Sequence, residues 1–175
     1  MSRHQKKEFK ALNIAVLTVS DSRTEDTDTS GKALVERLTG AGHTLAEKVI
    51  LIDDPYIIRA RVANWAIDEA IQVILITGGT GLTGRDVTPE AVRPLFDKEI
   101  VGFGELFRMV SYEEIGTSTI QSRALGGISN GTLIFCMPGS TGACKTSWDK
   151  ILMEQLDVRH TPCNFVEVMP RLKER

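Results

Sequence analysis

The chain has 175 residues, 42% of them hydrophobic and 25% charged, with a formal net charge of −2 and a pI near 5.9. A chain of this length buries roughly 70% of the surface its unfolded form exposes, so one globular domain is expected. The mild negative charge excludes general attraction to nucleic acid or anionic lipid, and no run of 18 apolar residues is present to span a membrane. An anionic ligand therefore needs a local site.

Residues 1–12 (MSRHQKKEFKAL) read as a flexible basic arm without the apolar stretch of a signal peptide, which points to a cytoplasmic protein. The domain is expected over 13–170. Residues 13–20 (NIAVLTVS) form a short, β-branched apolar run that predicts a strand buried on both faces. Residues 30–43 predict a helix with Ser30 as N-cap, Leu34 and Leu38 one turn apart, and Gly42 as terminator. A second strand falls over 43–53, followed by a helix over 54–70 with Pro55 near its start and Ile58, Val62 and Ala66 on one face. Residues 71–77 (IQVILIT) give a third strand. After a glycine-rich bend, Thr88 is placed to cap a helix with Pro89 at its first position and Val92, Leu95 and Phe96 on its apolar side. Helices over 103–116 and 118–127, a fourth buried strand over 132–137 (TLIFCM), a long helix over 141–156 and a solvated tail over 171–175 complete the chain. The alternation predicts an α/β fold, a three-layer αβα sandwich with a mostly parallel central sheet, whose ligands sit beyond the carboxyl ends of the strands.

Three strands exit into polar, small-residue loops: 20–31 (SDSRTEDTDTSG), 77–86 (TGGTGLTGRD) and 137–143 (MPGSTGA). Glycine lets backbone N–H groups approach a phosphate closely, and a helix N-terminus adds unpaired donors and partial positive charge. Gly79, Gly81 and Gly84 match the count of a dinucleotide fingerprint, but no clear strand bearing a ribose-binding acid follows at the usual distance. Gly79 to Asp86 is one step from a P-loop, with Arg85 in place of lysine and Asp86 in place of the magnesium-binding hydroxyl. Asp53 and Asp86 stand at strand ends, where carboxylates can serve a hard cation such as Mg²⁺; Asp53 or Asp54 can equally cap the helix near Pro55. Cys136, Cys144 and Cys163 contain no C-x-x-C pair and read as reduced packing thiols, and His4, His43 and His160 have no metal or triad spacing.

The segments TVSDSRTEDTDTSG, ILITGGTGLTGRDVTPEA and MPGSTGACKTSWDKIL resemble the motifs of the molybdopterin-binding proteins of molybdenum cofactor biosynthesis, the Mog/MoaB family that includes the gephyrin G domain. The likeness spans about residues 12–165. It implies a domain that binds molybdopterin and, in active members, joins it to AMP from Mg-ATP with release of pyrophosphate. Carried onto this sequence, it assigns Thr77, Gly78, Gly79, Thr80 and Gly81 to the phosphate loop. Asp86 becomes the catalytic carboxylate and Asp53 a second functional acid, the two together placing Mg²⁺. Ser20, Asp28, Ser30 and Gly31 fall in the first binding loop, and Pro138, Gly139 and Ser140 in the last. Holding two polyanions together needs positive charge besides, which Arg85 can supply. The resemblance further implies a homo-oligomer, trimer or hexamer, in keeping with the apolar helix VGFGELFRMV, and contacts with other proteins of the same pathway. Ile52 stands where the family often has proline, and the second proline after P-G-S is missing. Two alternatives remain: a molybdopterin carrier without turnover, and a structural oligomer with a vestigial pocket.

Overall fold

Strands β1 (Asn13–Val19), β3 (Val73–Thr77) and β6 (Thr132–Met137) are buried almost throughout, as continuous apolar runs require when helices cover both faces of a sheet. They are seen in a computed structural model that describes residues 7–174; the first half of the basic arm, with His4, and the terminal Arg175 lie outside the described residues. With β2 (Thr44–Leu51), β4 (Lys98–Glu99) and β5 (Leu125–Ser129) they form one sheet in the order β2-β1-β3-β6-β5-β4. The first four in that order run parallel, while β5 and β4 are antiparallel additions at one edge.

Side-chain alternation divides the core in two. On one face Ile14, Val16, Leu75 and Phe135 meet α1 (Thr29–Gly40), α4 (Val101–Ile115), α5 (Thr141–Ser147) and the turn that continues it through Leu34, Leu38, Phe103, Phe107, Cys144 and Trp148. On the other, Ala15, Leu17, Ile74 and Ile76 meet α2 (Pro55–Ile67) and α3 (Thr88–Val92) through Ile58, Val62, Trp65 and Val92. The three-layer αβα sandwich is thus formed, with its layers joined by short loops.

Several local expectations give way to stronger contacts. Asp28, not Ser30, caps α1: its Oδ1 accepts the Gly31 N–H at 2.8 Å, and the Ser30 hydroxyl lies inside the first turn, donating to the same oxygen. A carboxylate is the better acceptor for the exposed donors of a helix start. Gly42, at φ +94°, ends that helix as expected. Thr88 does not cap α3. It is the helix's first residue, and its buried hydroxyl donates to the Gly78 carbonyl at 2.8 Å. The helix expected over 118–127 is instead a 3-10 helix (Gly116–Gln121) followed by β5, with a Cβ at Gly127 placed only 2.4 Å from the Phe96 ring. Pairing with β6 and aromatic cover supply what the glycines cannot. The last helix passes through a π-helical turn, Trp148–Leu152, before Met153–Gln155.

The ends of the described chain lie against the domain. Leu12 is buried and its N–H donates to His43 Nδ1 at 3.2 Å; burial lowers the His43 pKa and keeps that nitrogen an acceptor. Leu172 packs against the first core cluster. No helix among the described residues is long and apolar enough to cross a membrane.

Asp28 is fully buried, accepts from the Thr18 hydroxyl at 2.8 Å and pairs with Lys48 at 2.8 Å. Burial opposes its charge, but Lys48, the Gly31 N–H and Thr18 outweigh that and hold its carboxyl below the ordinary 3.8. Asp28→Asn keeps a capping oxygen and loses the charge facing Lys48, so it should cost about 2 kcal/mol at neutral pH in urea unfolding. The folded carboxyl titrates below the unfolded one. Its contribution is therefore complete above 3.8 and is lost as pH falls through the folded value. The gap between wild type and variant should narrow in acid; a gap independent of pH would show that the charge is not what matters.

Candidate functional site

In the parallel part of the sheet, the chain steps outward from β1 to β2 and then back across to β3, so the topological switch point lies between β1 and β3. The loops leaving these strands, and the one leaving β6, diverge there and line a cavity of about 560 Å³. Every residue assigned to the site from the resemblance lines this cavity except Asp28 and Gly31. Those two lie behind the wall as the α1 cap, where a Cβ on Gly31 would fall 2.2 Å from Asp28 Oδ2.

The phosphate-loop candidate is shaped by its backbone. Gly78 and Gly79 take φ of +98° and +64°, a left-handed region that favours glycine. Gly78 N–H donates to the Met137 carbonyl at 3.1 Å, the Thr77 hydroxyl donates to the Pro138 carbonyl at 3.0 Å, and a Cβ on Gly139 would stand 3.2 Å from Gly78 Cα. The two small-residue bends are thereby held backbone to backbone.

The acids are sorted by their neighbours. Asp54 caps α2, accepting from the N–H groups of Tyr56 and Ile57 at 2.9 and 3.0 Å, so the capping role left open between the two falls to it. Asp53 faces the cavity instead and is 9% exposed. Burial, then the negative charge of Asp21, pushes its carboxyl above the ordinary range, with Asp86 adding to the effect and Arg85 opposing it. Asp86 differs. Burial again disfavours its charge, but hydrogen bonds from Thr83 and the Gly81 N–H, together with Arg123, prevail and hold it below the ordinary range. Thr83 N–H meets Asp86 Oδ2 at 2.8 Å. Arg85 is exposed and forms a two-pronged ion pair with Asp21, through Nε to Oδ2 at 2.9 Å and Nη2 to Oδ1 at 2.7 Å; Asp21 Oδ1 also accepts the Asp53 N–H.

No group of three or more metal-ligating side chains forms among the described residues. Asp53 and Asp86 nonetheless present two mutually repelling carboxylates to one cavity, a donor set that suits Mg²⁺ holding phosphate and water as its other ligands. The residues present fit that ion.

The opposite wall went unread in the sequence. It consists of Phe107, Ser111, Glu114 and Ile115 from α4, Ser118 and Thr119 from the 3-10 helix, and Thr146 of α5, whose hydroxyl donates to Glu114 Oε2 at 2.9 Å. Arg23 joins from the first loop. The available signal was Ser111, a small polar residue one turn beyond Phe107 on the buried face of α4.

A three-layer α/β domain whose glycine- and serine-rich bends converge at the switch point defines a class of proteins that hold phosphate-bearing small molecules. Residues 15–158 match the family described as "Probable molybdopterin binding domain", and the chain belongs to that family. It is 55% identical over 167 residues to "Molybdenum cofactor biosynthesis protein B" of Escherichia coli (strain K12), with 95% of this chain and 96% of that one covered. A crystal structure of a "Molybdenum cofactor biosynthesis protein B" superposes with a TM-score of 0.86 at 42% identity, covering 97% of this chain and 100% of that one. That of the "tungsten cofactor synthesizing protein MoaB from Pyrococcus furiosus" gives 0.77 at 35% identity, covering 94% and 99%. The chain takes its place among the proteins of molybdenum cofactor biosynthesis.

Proposed function

We propose that this cavity binds molybdopterin beside Mg-ATP and catalyses adenylyl transfer in the cytoplasm. The observation that carries the reading is the meeting of three small-residue bends with Asp53 and Asp86 in one cavity. An oxygen of the molybdopterin phosphate attacks the α-phosphorus of ATP; the new O–P bond forms as the α–β anhydride bond breaks, and pyrophosphate leaves with the electron pair. The protein's task is to hold two polyanions together in line. Backbone N–H groups of Gly79 and Thr80 and the N-terminus of α5 receive phosphate oxygens, and Arg23 and Arg85 offset their charge. Asp86, ionised throughout the neutral range, and Asp53 hold the Mg²⁺, which supplies charge neutralisation on the triphosphate. The α4 wall, with Phe107 and Ile115 among hydroxyls, offers a mixed surface to the flat pterin.

Pyrophosphate released from Mg-ATP on adding molybdopterin tests the reading directly. Molybdopterin binding without pyrophosphate release would show a carrier, and failure to bind molybdopterin would show a vestigial pocket. Self-association belongs to the same reading. Val101, Met109, Tyr112, Ile115 and Ile120 are exposed along α4 and the 3-10 helix, an apolar surface suited to a homo-oligomer, trimer or hexamer. Light scattering at micromolar concentration should give three or six times the 19.3 kDa chain mass; a monomer would overturn it.

A further inference from the structure

On the short segment between the 3-10 helix and β5, Arg123 makes contacts that the reaction above leaves unused. Its side chain stands behind the cavity wall and is not part of the lining. The backbone N–H donates to the Thr80 carbonyl at 3.1 Å. The guanidinium donates through Nε to the Gly81 carbonyl and through Nη2 to the Asp86 carbonyl, each at 2.7 Å. Its Nη1 pairs with Glu90 of α3. One residue thus grips the start of the acid-bearing loop, its end, and the helix that follows.

Holding a carbonyl also aims an N–H. In a trans peptide the two point in opposite directions, so a Thr80 carbonyl turned to the Arg123 main-chain N–H, a contact that any residue but proline keeps at 123, turns the Gly81 N–H away from it. That N–H helps to hold the Asp86 carboxyl below its ordinary range, while the Thr83 N–H bonds the same carboxylate at 2.8 Å. The fit is close, since a Cβ on Gly81 would fall 2.8 Å from Asp86 Oδ2. What the arginine side chain adds to that main-chain contact is its hold on the Gly81 and Asp86 carbonyls, the two ends of the loop that carries the carboxylate.

We propose that Arg123 is the positioning residue of the site: by tying the Gly81 and Asp86 carbonyls to one guanidinium it sets the 81–86 loop and aims the Asp86 carboxylate into the cavity. This rests on the reading of Asp86 given under the proposed function. The arginine is itself anchored. Arg108 of α4 donates to the Ser122 and Ala124 carbonyls on either side of it, at 3.4 and 3.2 Å, and Gly104 permits that approach, a Cβ there falling 2.4 Å from the Ala124 oxygen. Lysine cannot replace it. A compact ammonium keeps the charge but lacks the planar fork that reaches two carbonyls and a carboxylate at once.

Orientation and charge are separated by comparing Arg123→Ala with Arg123→Lys. Amide hydrogen exchange is read at Gly81 and Thr83, with amides of β1 and β3 as a control for an intact fold, alongside pyrophosphate release. Both variants should exchange at the two loop amides on the order of tenfold faster than wild type. Turnover should fall on the order of 10²-fold in both, with the KM for ATP changed less than about threefold, as for a group misplaced by a fraction of an ångström to an ångström. Wild-type exchange and turnover in Arg123→Lys would overturn the proposal, because charge alone would then suffice. If Arg123→Ala loses protection in β1 and β3, Arg123→Lys alone carries the comparison. If wild type releases no pyrophosphate, adenylyl transfer fails as the function, while loop exchange still decides whether Arg123 holds the loop: lost protection supports it and retained protection overturns it.

Discussion

Asp86→Asn is expected to reduce pyrophosphate release on the order of 10²-fold or more while leaving the fold intact. The substitution keeps the side chain's size and one oxygen to accept the Thr83 N–H, so the turn from 83 to 86 retains its closure. What goes is the negative charge. The hydrogen bonds that hold this carboxyl below its ordinary range exist to keep it ionised, and an amide offers Mg²⁺ a much poorer ligand. Asp86 is half-buried at the cavity rather than packed in the core, so the stability change should stay below about 1 kcal/mol. Turnover at the wild-type rate would remove Asp86 from the mechanism. A loss of stability with turnover preserved would show a residue of the turn and nothing more.

Gly78→Ala should be the most damaging single methyl group in the site. At φ +98° an alanine is strained wherever it points, and here its Cβ would stand 2.1 Å from the Val19 carbonyl oxygen. Backbone cannot swing aside as a side chain can. Relief would require parting β3 from β1 at their carboxyl ends, or breaking the bonds from Gly78 N–H to Met137 and from Thr88 to the Gly78 carbonyl. The expected cost is about 3 kcal/mol or more, measured by chemical denaturation, together with loss of ligand binding. Gly84→Ala is the matched control: nothing lies within 4 Å of its Cβ, and its cost should stay within about 0.5 kcal/mol. Equal costs for the two would show that the loop flexes freely and that its backbone does not shape the cavity.

What the sequence disclosed follows from which forces leave a mark on residue type. Strands β1, β3 and β6 were legible because burial on both faces demands unbroken apolar runs, and their exits were legible because close backbone approach demands glycine. β5 was not. Its Gly126 and Gly127 carry no strand preference, and the segment owes its form to pairing with β6 and to the rings of Phe96, Phe103 and Phe135 laid over it. Ser30 and Thr88 have the chemistry of caps, but Asp28 outbids the one and the Gly78 carbonyl claims the other. The loops of the cavity could be picked out by composition; its α4 wall could not, since Phe107, Ser111 and Glu114 look like any helix with one buried face. Arg123 was invisible for a related reason. Apart from Glu90, its partners are backbone carbonyls, which leave no trace in a sequence.

The ion pair at the cavity mouth bears on selectivity. Arg85 already holds a carboxylate in two-pronged contact, so an anion arriving there must displace Asp21 rather than meet a bare cation. The exchange leaves the guanidinium with one partner as before and sets Asp21 free beside Asp53, whose charge it already opposes. Entry at this point is governed by the difference between two anions. Under the proposed function, a doubly charged phosphate would gain more by replacing the resident carboxylate than chloride or a simple carboxylic acid, so the mouth would discriminate by substitution instead of by attraction.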